Sequence, residues 1–162
     1  MRVVGVDPGV HGLGVGVLEQ TRHGLIAVAT YLPNRGPRSG PAMWAGQAAA
    51  LAGLLPADLL VIESMQVDGR SRRAQVHALL ELQGLVGRLS SLVPVERVEC
   101  PTPSTWAGSV PKGVRNNRLR ERYGDSFVVR PGRYASGGGR SDDSVDGLGL
   151  AEWGLRRLQN LD

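Results

Sequence analysis

Four acidic residues stand at positions where a carboxylate needs a reason to be. Asp7 closes the β-branched run RVVGVD and is followed by Pro8-Gly9, a turn that lets backbone approach a phosphate closely. Glu63 closes the apolar run Leu59 to Ile62, and a carboxylate ending a buried strand is unfavourable without a partner. Asp143 and Asp146 are spaced i, i+3, and Asp142 and Asp146 are spaced i, i+4, so either pair shares one face of a helix. Singly, an Asp before Pro-Gly is an ordinary turn residue and paired Asp in a first helical turn are an ordinary cap. Jointly they offer carboxylates from three elements, and strand ends are where open α/β sheets bind ligands. Acids gathered so closely raise one another's pKa unless a cation lies between them. Oxygen donors with no His or Cys nearby select Mg²⁺ or Mn²⁺ over zinc.

Elements able to position these acids are legible in the hydrophobic pattern. Residues 2–7 and 13–18 and the run Gly24 to Tyr31 predict three consecutive strands, hence an antiparallel meander. The turn-rich stretch Pro33 to Pro41 leads into a helix over Ala42 to Leu55, with Met43, Ala50, Leu51, Leu54 and Leu55 inward and Pro56 as its stop. Leu59 to Ile62 reads as a buried central strand. A long helix over Ser71 to Ser90, with Val76, Leu79, Leu80, Leu82, Leu85, Val86 and Leu89 at helical spacing, then leads to a strand over Val93 to Val98. This is a βαβ unit. Short helices are expected over Thr102 to Ala107 and Val114 to Tyr123, with one more short strand possible at Phe127 to Val129. Arg130 to Arg140 is glycine-rich and aperiodic, which predicts a loop. Ser141 to Leu158 is the closing helix, with Ser141 as N-cap and Asp142 and Asp143 in its first turn. The expected architecture is a mixed α/β sheet of five strands, the first three antiparallel, flanked by helices.

At 162 residues, with 41% hydrophobic and 21% charged residues, the chain suits one globular domain over 1–162 and neither a disordered nor a fibrous one. No uninterrupted apolar stretch is long enough for a membrane span, and the start MRVVGVDPGV reads as strand and turn, not as a signal peptide. Cys100 is the only cysteine, which excludes an internal disulfide and a thiolate zinc site and makes a cytoplasmic location the default expectation. Nineteen Lys plus Arg against fifteen Asp plus Glu give +4, which favours a polyanionic partner. Val110 to Arg140 alone carries eight cations against two anions. Eighteen of the nineteen cations are Arg, whose planar fork suits phosphate, and Lys112 is the exception.

The segment GVDPGVHGLGVGVL resembles the first motif of the RuvC family of Holliday junction resolvases, in the RNase H-like superfamily. VIES resembles its second motif, and DDSVDGLGLAEWGL resembles the D-x-x-D motif of its final helix. The match runs in order across nearly the whole chain. The resemblance implies an RNase H-like fold and a homodimeric endodeoxyribonuclease cutting four-way junctions in branched DNA, with two Mg²⁺ or Mn²⁺ ions per active site. It further implies Asp7, Glu63, Asp143 and Asp146 as catalytic, metal-binding acids, with Asp142 the rival of Asp143, and nicks bearing 5′-phosphate and 3′-hydroxyl ends. The apolar face of the Ser71 to Ser90 helix is the expected dimer interface.

TPSTWAGSVPKGVRNNRLRERY resembles the family's basic stretch, which implies DNA contacts from Lys112, Arg115 and Arg118. Arg72, Arg73, Arg133 and Arg140 are further expected DNA-facing cations. The family's aromatic wedge after the Glu motif is replaced here by Met65-Gln66-Val67, which leaves Tyr134 as a substitute wedge. Gly147 and Gly149 stand where the family usually has Ala, a change expected to weaken the last helix. Two other readings remain open: another RNase H-like nuclease acting on branched DNA or structured RNA, as in rRNA processing, and an inactive junction-binding protein.

Overall fold

The computed structural model describes residues 1–9, 11–34, 36–37, 39–64, 73–92, 95–124, 128–130 and 139–160. Strands β1 (Arg2–Gly9), β2 (Gly12–Thr21) and β3 (Gly24–Pro33) form the expected antiparallel meander. β4 (Leu59–Ile62) adds in parallel to β1, and β5 (Val98–Glu99) adds in parallel to β4. These five strands are the expected mixed sheet. A short sixth strand, β6 (Val128–Arg130), pairs in parallel with the outer side of β3, giving the order β5-β4-β1-β2-β3-β6.

Strand alternation sorts the core into two layers. Val4, Val6, Leu13, Val15, Val17, Leu60 and Ile62 point to one face, where α1 (Gly40–Ala52) and α2 (Arg73–Leu92) cover them. Val3, Leu18, Leu59 and Val61 point to the other, beneath α5 (Gly139–Gln159), with α3 (Pro103–Trp106) and α4 (Lys112–Tyr123) beside it. The period of two continues Val3, Gly5 to Asp7 and Leu59, Val61 to Glu63, so both acids belong to the α5 face.

Several sequence expectations are corrected. The first helix ends at Ala52 with Gly53 as its cap, short of Pro56, and buries Met43, Gln47, Ala48 and Leu51 while Ala50 is exposed. The strand expected over Val93 to Val98 is reduced to Val98–Glu99, with 93–94 outside the described residues. The helix expected over Val114 to Tyr123 begins two residues earlier, so that Lys112 opens α4. Ser141 lies inside α5, which begins at Gly139, and is not its N-cap. In α2, Leu85, Val86 and Leu89 are buried against the sheet, so much of the face expected to form a dimer interface is core instead. Leu80 remains 60% exposed. The expected loop 130–140 falls largely outside the described residues. Among the described residues no helix is long and apolar enough to cross a membrane.

Candidate active site

β1 and β4 lie side by side in parallel with Val6 opposite Ile62, and the Glu63 amide donates to the Val6 carbonyl at 2.9 Å. That register brings Asp7 and Glu63, the next residues along, to adjacent strand ends. Across the other edge of β1, Asp7 faces Gly14 of β2.

Glycines set how close α5 comes. A Cβ on Gly14 would sit 2.1 Å from the Asp143 carbonyl oxygen, and one on Gly16 would sit 2.1 Å from the Leu148 Cα. A Cβ on Gly5 would meet the Gly147 carbonyl oxygen at 2.2 Å, and one on Gly147 would meet the Gly16 amide nitrogen at 2.7 Å. Backbone therefore lies on backbone, and Asp143 and Asp146 come down beside Asp7. Gly147 and Gly149 are the condition for this approach and for the packing beside it: a Cβ on Gly149 would lie 2.8 Å from the Trp106 ring. The expected cost in helix propensity is thus only one side of their effect.

The acids feel one another. Burial, then the charges of Glu63, Asp146 and Asp143, push the Asp7 carboxyl up to about 8, against a smaller lowering by Lys112. Burial also raises Glu63; a hydrogen bond from Trp106 Nε1 to its Oε2, at 2.8 Å, opposes this, and so do Arg115 and Lys112. Asp146 is 4% exposed and doubly held. Lys112 Nζ lies 2.5 Å from its Oδ2, and Arg115 Nη2 donates to its Oδ1 at 2.6 Å. Lys112 also lies 3.9 Å from Asp143 Oδ1. Burial alone would lower the Lys112 pKa, but its bond to Asp146 and the charges of Asp146, Asp7 and Asp143 hold it above its usual value.

The structure thus brings Asp7, Glu63, Asp143 and Asp146 together, with Lys112 and Arg115 among them. Arg118 is exposed on α4. Arg73 and Arg140 lie near the N-terminal ends of α2 and α5, and Asp142 lies in α5, but their side chains are outside the described set. Arg72, Arg133 and Tyr134 lie outside the described residues, as do Met65, Gln66 and Val67. Trp106 is the residue that motif reading missed. It orients Glu63 and carries the Arg115 guanidinium 4.4 Å from its ring centroid. Only an indole inside a family-like segment signals it in the sequence.

Among the described residues no group of three or more His, Cys, Asp or Glu side chains is gathered closely enough to hold a metal ion, and Asp143 and Asp146 converge on the Lys112 ammonium. The donor chemistry nevertheless fits a hard divalent cation: every candidate ligand is a carboxylate oxygen, and the repulsion among the acids that adds to burial in raising Asp7 is what a cation relieves.

No protein-family model and no curated protein matches the sequence. Solved structures do. The yeast mitochondrial Holliday junction resolvase Ydc2 aligns over 95% of this chain and 78% of its own, at 13% identity and a TM-score of 0.59. Thermus thermophilus RuvC in complex with a Holliday junction substrate aligns over 97% and 96%, at 18% identity and 0.59. The fowlpox virus Holliday junction resolvase aligns over 99% of both chains, at 10% identity and 0.55. The chain has the RuvC-like, RNase H-like fold of these resolvases.

Proposed function

We propose that this protein is a metal-dependent endodeoxyribonuclease that cuts four-way DNA junctions. The observation that carries the reading is the joint placement of Asp7, Glu63, Asp143 and Asp146 on one face of a resolvase fold, where burial first and then the neighbouring carboxylates lift Asp7 to about 8. Asp7, Glu63, Asp143 and Asp146 would hold Mg²⁺ or Mn²⁺, two ions per site. When bound, such ions supply activation of a water and neutralisation of charge building on the phosphate.

The chain's own residues have separable tasks. Trp106 fixes the direction of the Glu63 carboxylate through its 2.8 Å hydrogen bond. Arg115, braced between Asp146 and the Trp106 ring, keeps that wall rigid. Lys112 balances Asp143 and Asp146, and its ammonium would face a scissile phosphate brought to these acids. Arg118 and the other arginines of the basic segment hold flanking phosphates without reading sequence. Hydrolysis at this site would leave 5′-phosphate and 3′-hydroxyl ends. A junction presents two equivalent strands, which suits a two-fold symmetric homodimer.

The deciding experiment incubates the protein with end-labelled four-way junction, linear duplex and structured RNA, with and without Mg²⁺. Metal-dependent, symmetric nicking of the junction alone is expected. Cleavage of structured RNA in preference would instead assign an RNA-processing nuclease, and junction binding without any cleavage would assign a binding protein.

A further inference from the structure

Behind the wall formed by Trp106 and Arg115 lies a second concavity, of about 180 Å³, between α3, α4 and α5. Its lining combines two indoles, Trp106 and Trp153, with the bare backbone of Gly149. Arg118, Arg122 and Arg156 also line it, with Glu152 as the acid among them.

Three features make this a prepared site. Gly149 leaves space that a Cβ would take from the Trp106 ring, since that atom would lie 2.8 Å away. Both rings are held by cations: Arg115 lies over Trp106 at 4.4 Å, and Arg157 lies over Trp153 at 5.1 Å while binding Glu99 at 2.9 Å. Glu152, whose side chain is 13% exposed, receives Arg156 at 2.6 Å and also pairs with Arg122, so one carboxylate orders two guanidinium groups while balancing only one of them. Rings and cations fixed in advance lose little freedom when a ligand arrives.

We propose that this concavity takes one unpaired nucleotide of a DNA strand, its base against Trp106 and Trp153 and its phosphate at Arg118, Arg122 and Arg156. Aromatic faces accept any base, and guanidinium forks accept phosphate oxygens, which is the chemistry of single-strand binding without sequence preference. A paired base cannot enter, so the site favours strands that are open. Trp106 belongs to both sites, because its Nε1 bonds Glu63. A nucleotide seated here therefore lies one side chain away from the acids, on the strand next to the cut. The proposal rests on the reading of the chain as a DNA enzyme and adds a strand-opening subsite to it.

Fluorescence anisotropy of a 3′-labelled single-stranded deoxytetranucleotide, measured on the whole protein in EDTA, tests this apart from catalysis. Binding is expected, and Arg156→Ala, Arg118→Ala and Trp153→Leu should each weaken it about 10-fold or more, while Arg88→Ala on α2 should not. The two arginine variants lie at exposed positions and carry the test even if Trp153→Leu fails to fold. Unchanged affinity in both would overturn the proposal. So would equal competition by a blunt duplex of the same sequence, or by inorganic phosphate, which would mark a simple anion patch. Competition by a deoxynucleoside monophosphate as strong as that of the tetranucleotide would assign a free nucleotide and overturn the DNA strand. Tetranucleotide binding lost in these variants, in a protein that cuts no junction, would support the subsite and refute the nuclease reading alone.

Discussion

Lys112 is the chain's only lysine, and its Nζ lies 2.5 Å from Asp146 Oδ2, inside the group of acids that the fold assembles. A compact ammonium with three rotatable donors can serve two carboxylates at once. Removing it leaves Asp146 with Arg115 as its partner and Asp143 less balanced.

Lys112→Ala should therefore lower the stability of the metal-free protein by about 1 kcal/mol, a figure discounted for the half-exposed lysine. Added Mg²⁺ should restore more stability to the variant than to the wild type, because the cation and the ammonium serve the same oxygens. Thermal melts with EDTA and with Mg²⁺ check both. A variant more stable than wild type in EDTA would show that the ammonium is not balancing the acids.

Asp7 makes the metal-free protein pH-sensitive. Its carboxyl is held up to about 8 in the fold against an ordinary value of 3.8, so between those values the folded state keeps a proton that the unfolded state has lost. The associated stability is fully present below about pH 4 and falls as pH rises through about 8. Asp7→Asn should flatten that fall. In the wild type at pH 7, divalent metal binding should release protons, seen as a calorimetric heat that depends on the buffer's ionisation enthalpy. A buffer-independent heat would contradict it.

Asp7→Asn, Glu63→Gln and Asp146→Asn should each reduce junction cleavage by at least about 100-fold while leaving junction binding intact or tighter, since each removes a metal-facing charge. Asp143→Asn should cost far more activity than Asp142→Asn. Cleavage of end-labelled junction beside a binding assay separates the two effects, and the reverse order for the last pair would move the assignment by one residue.

Glycine contacts give a stability test free of catalysis. Gly16→Ala should destabilise by about 3 kcal/mol or more, because its Cβ would meet the Leu148 backbone at 2.1 Å and neither chain can yield alone. Gly87→Ala, with open space around it in α2, should instead gain up to about 1 kcal/mol from helix propensity. Urea unfolding of both variants measures this. Near-equal midpoints would mean that α5 does not lie on the sheet as described.

The sequence alone carried the frame. The β-branched run before Asp7 and the apolar run before Glu63 decided that both acids end strands, and D-x-x-D spacing decided that Asp143 and Asp146 share a helix face, because these are patterns of the local backbone. That Asp7 and Glu63 lie on one sheet face came only with the parallel register of Val6 opposite Ile62. The resemblance carried by these motifs is matched by the resolvase folds that align with the chain. Local pattern says nothing about partners far along the chain. Trp106 meets Glu63 across 43 residues and Arg115 meets Asp146 across 31, and neither spacing corresponds to any repeat of strand or helix. Only the packing of α3, α4 and α5 on the sheet turned Lys112 and Arg115 from surface cations into partners of a buried acid. The glycines show the same division. In sequence Gly147 is a weak helix residue; in the fold it is the contact through which α5 reaches β2, because close approach depends on what lies opposite, and that is fixed by tertiary structure.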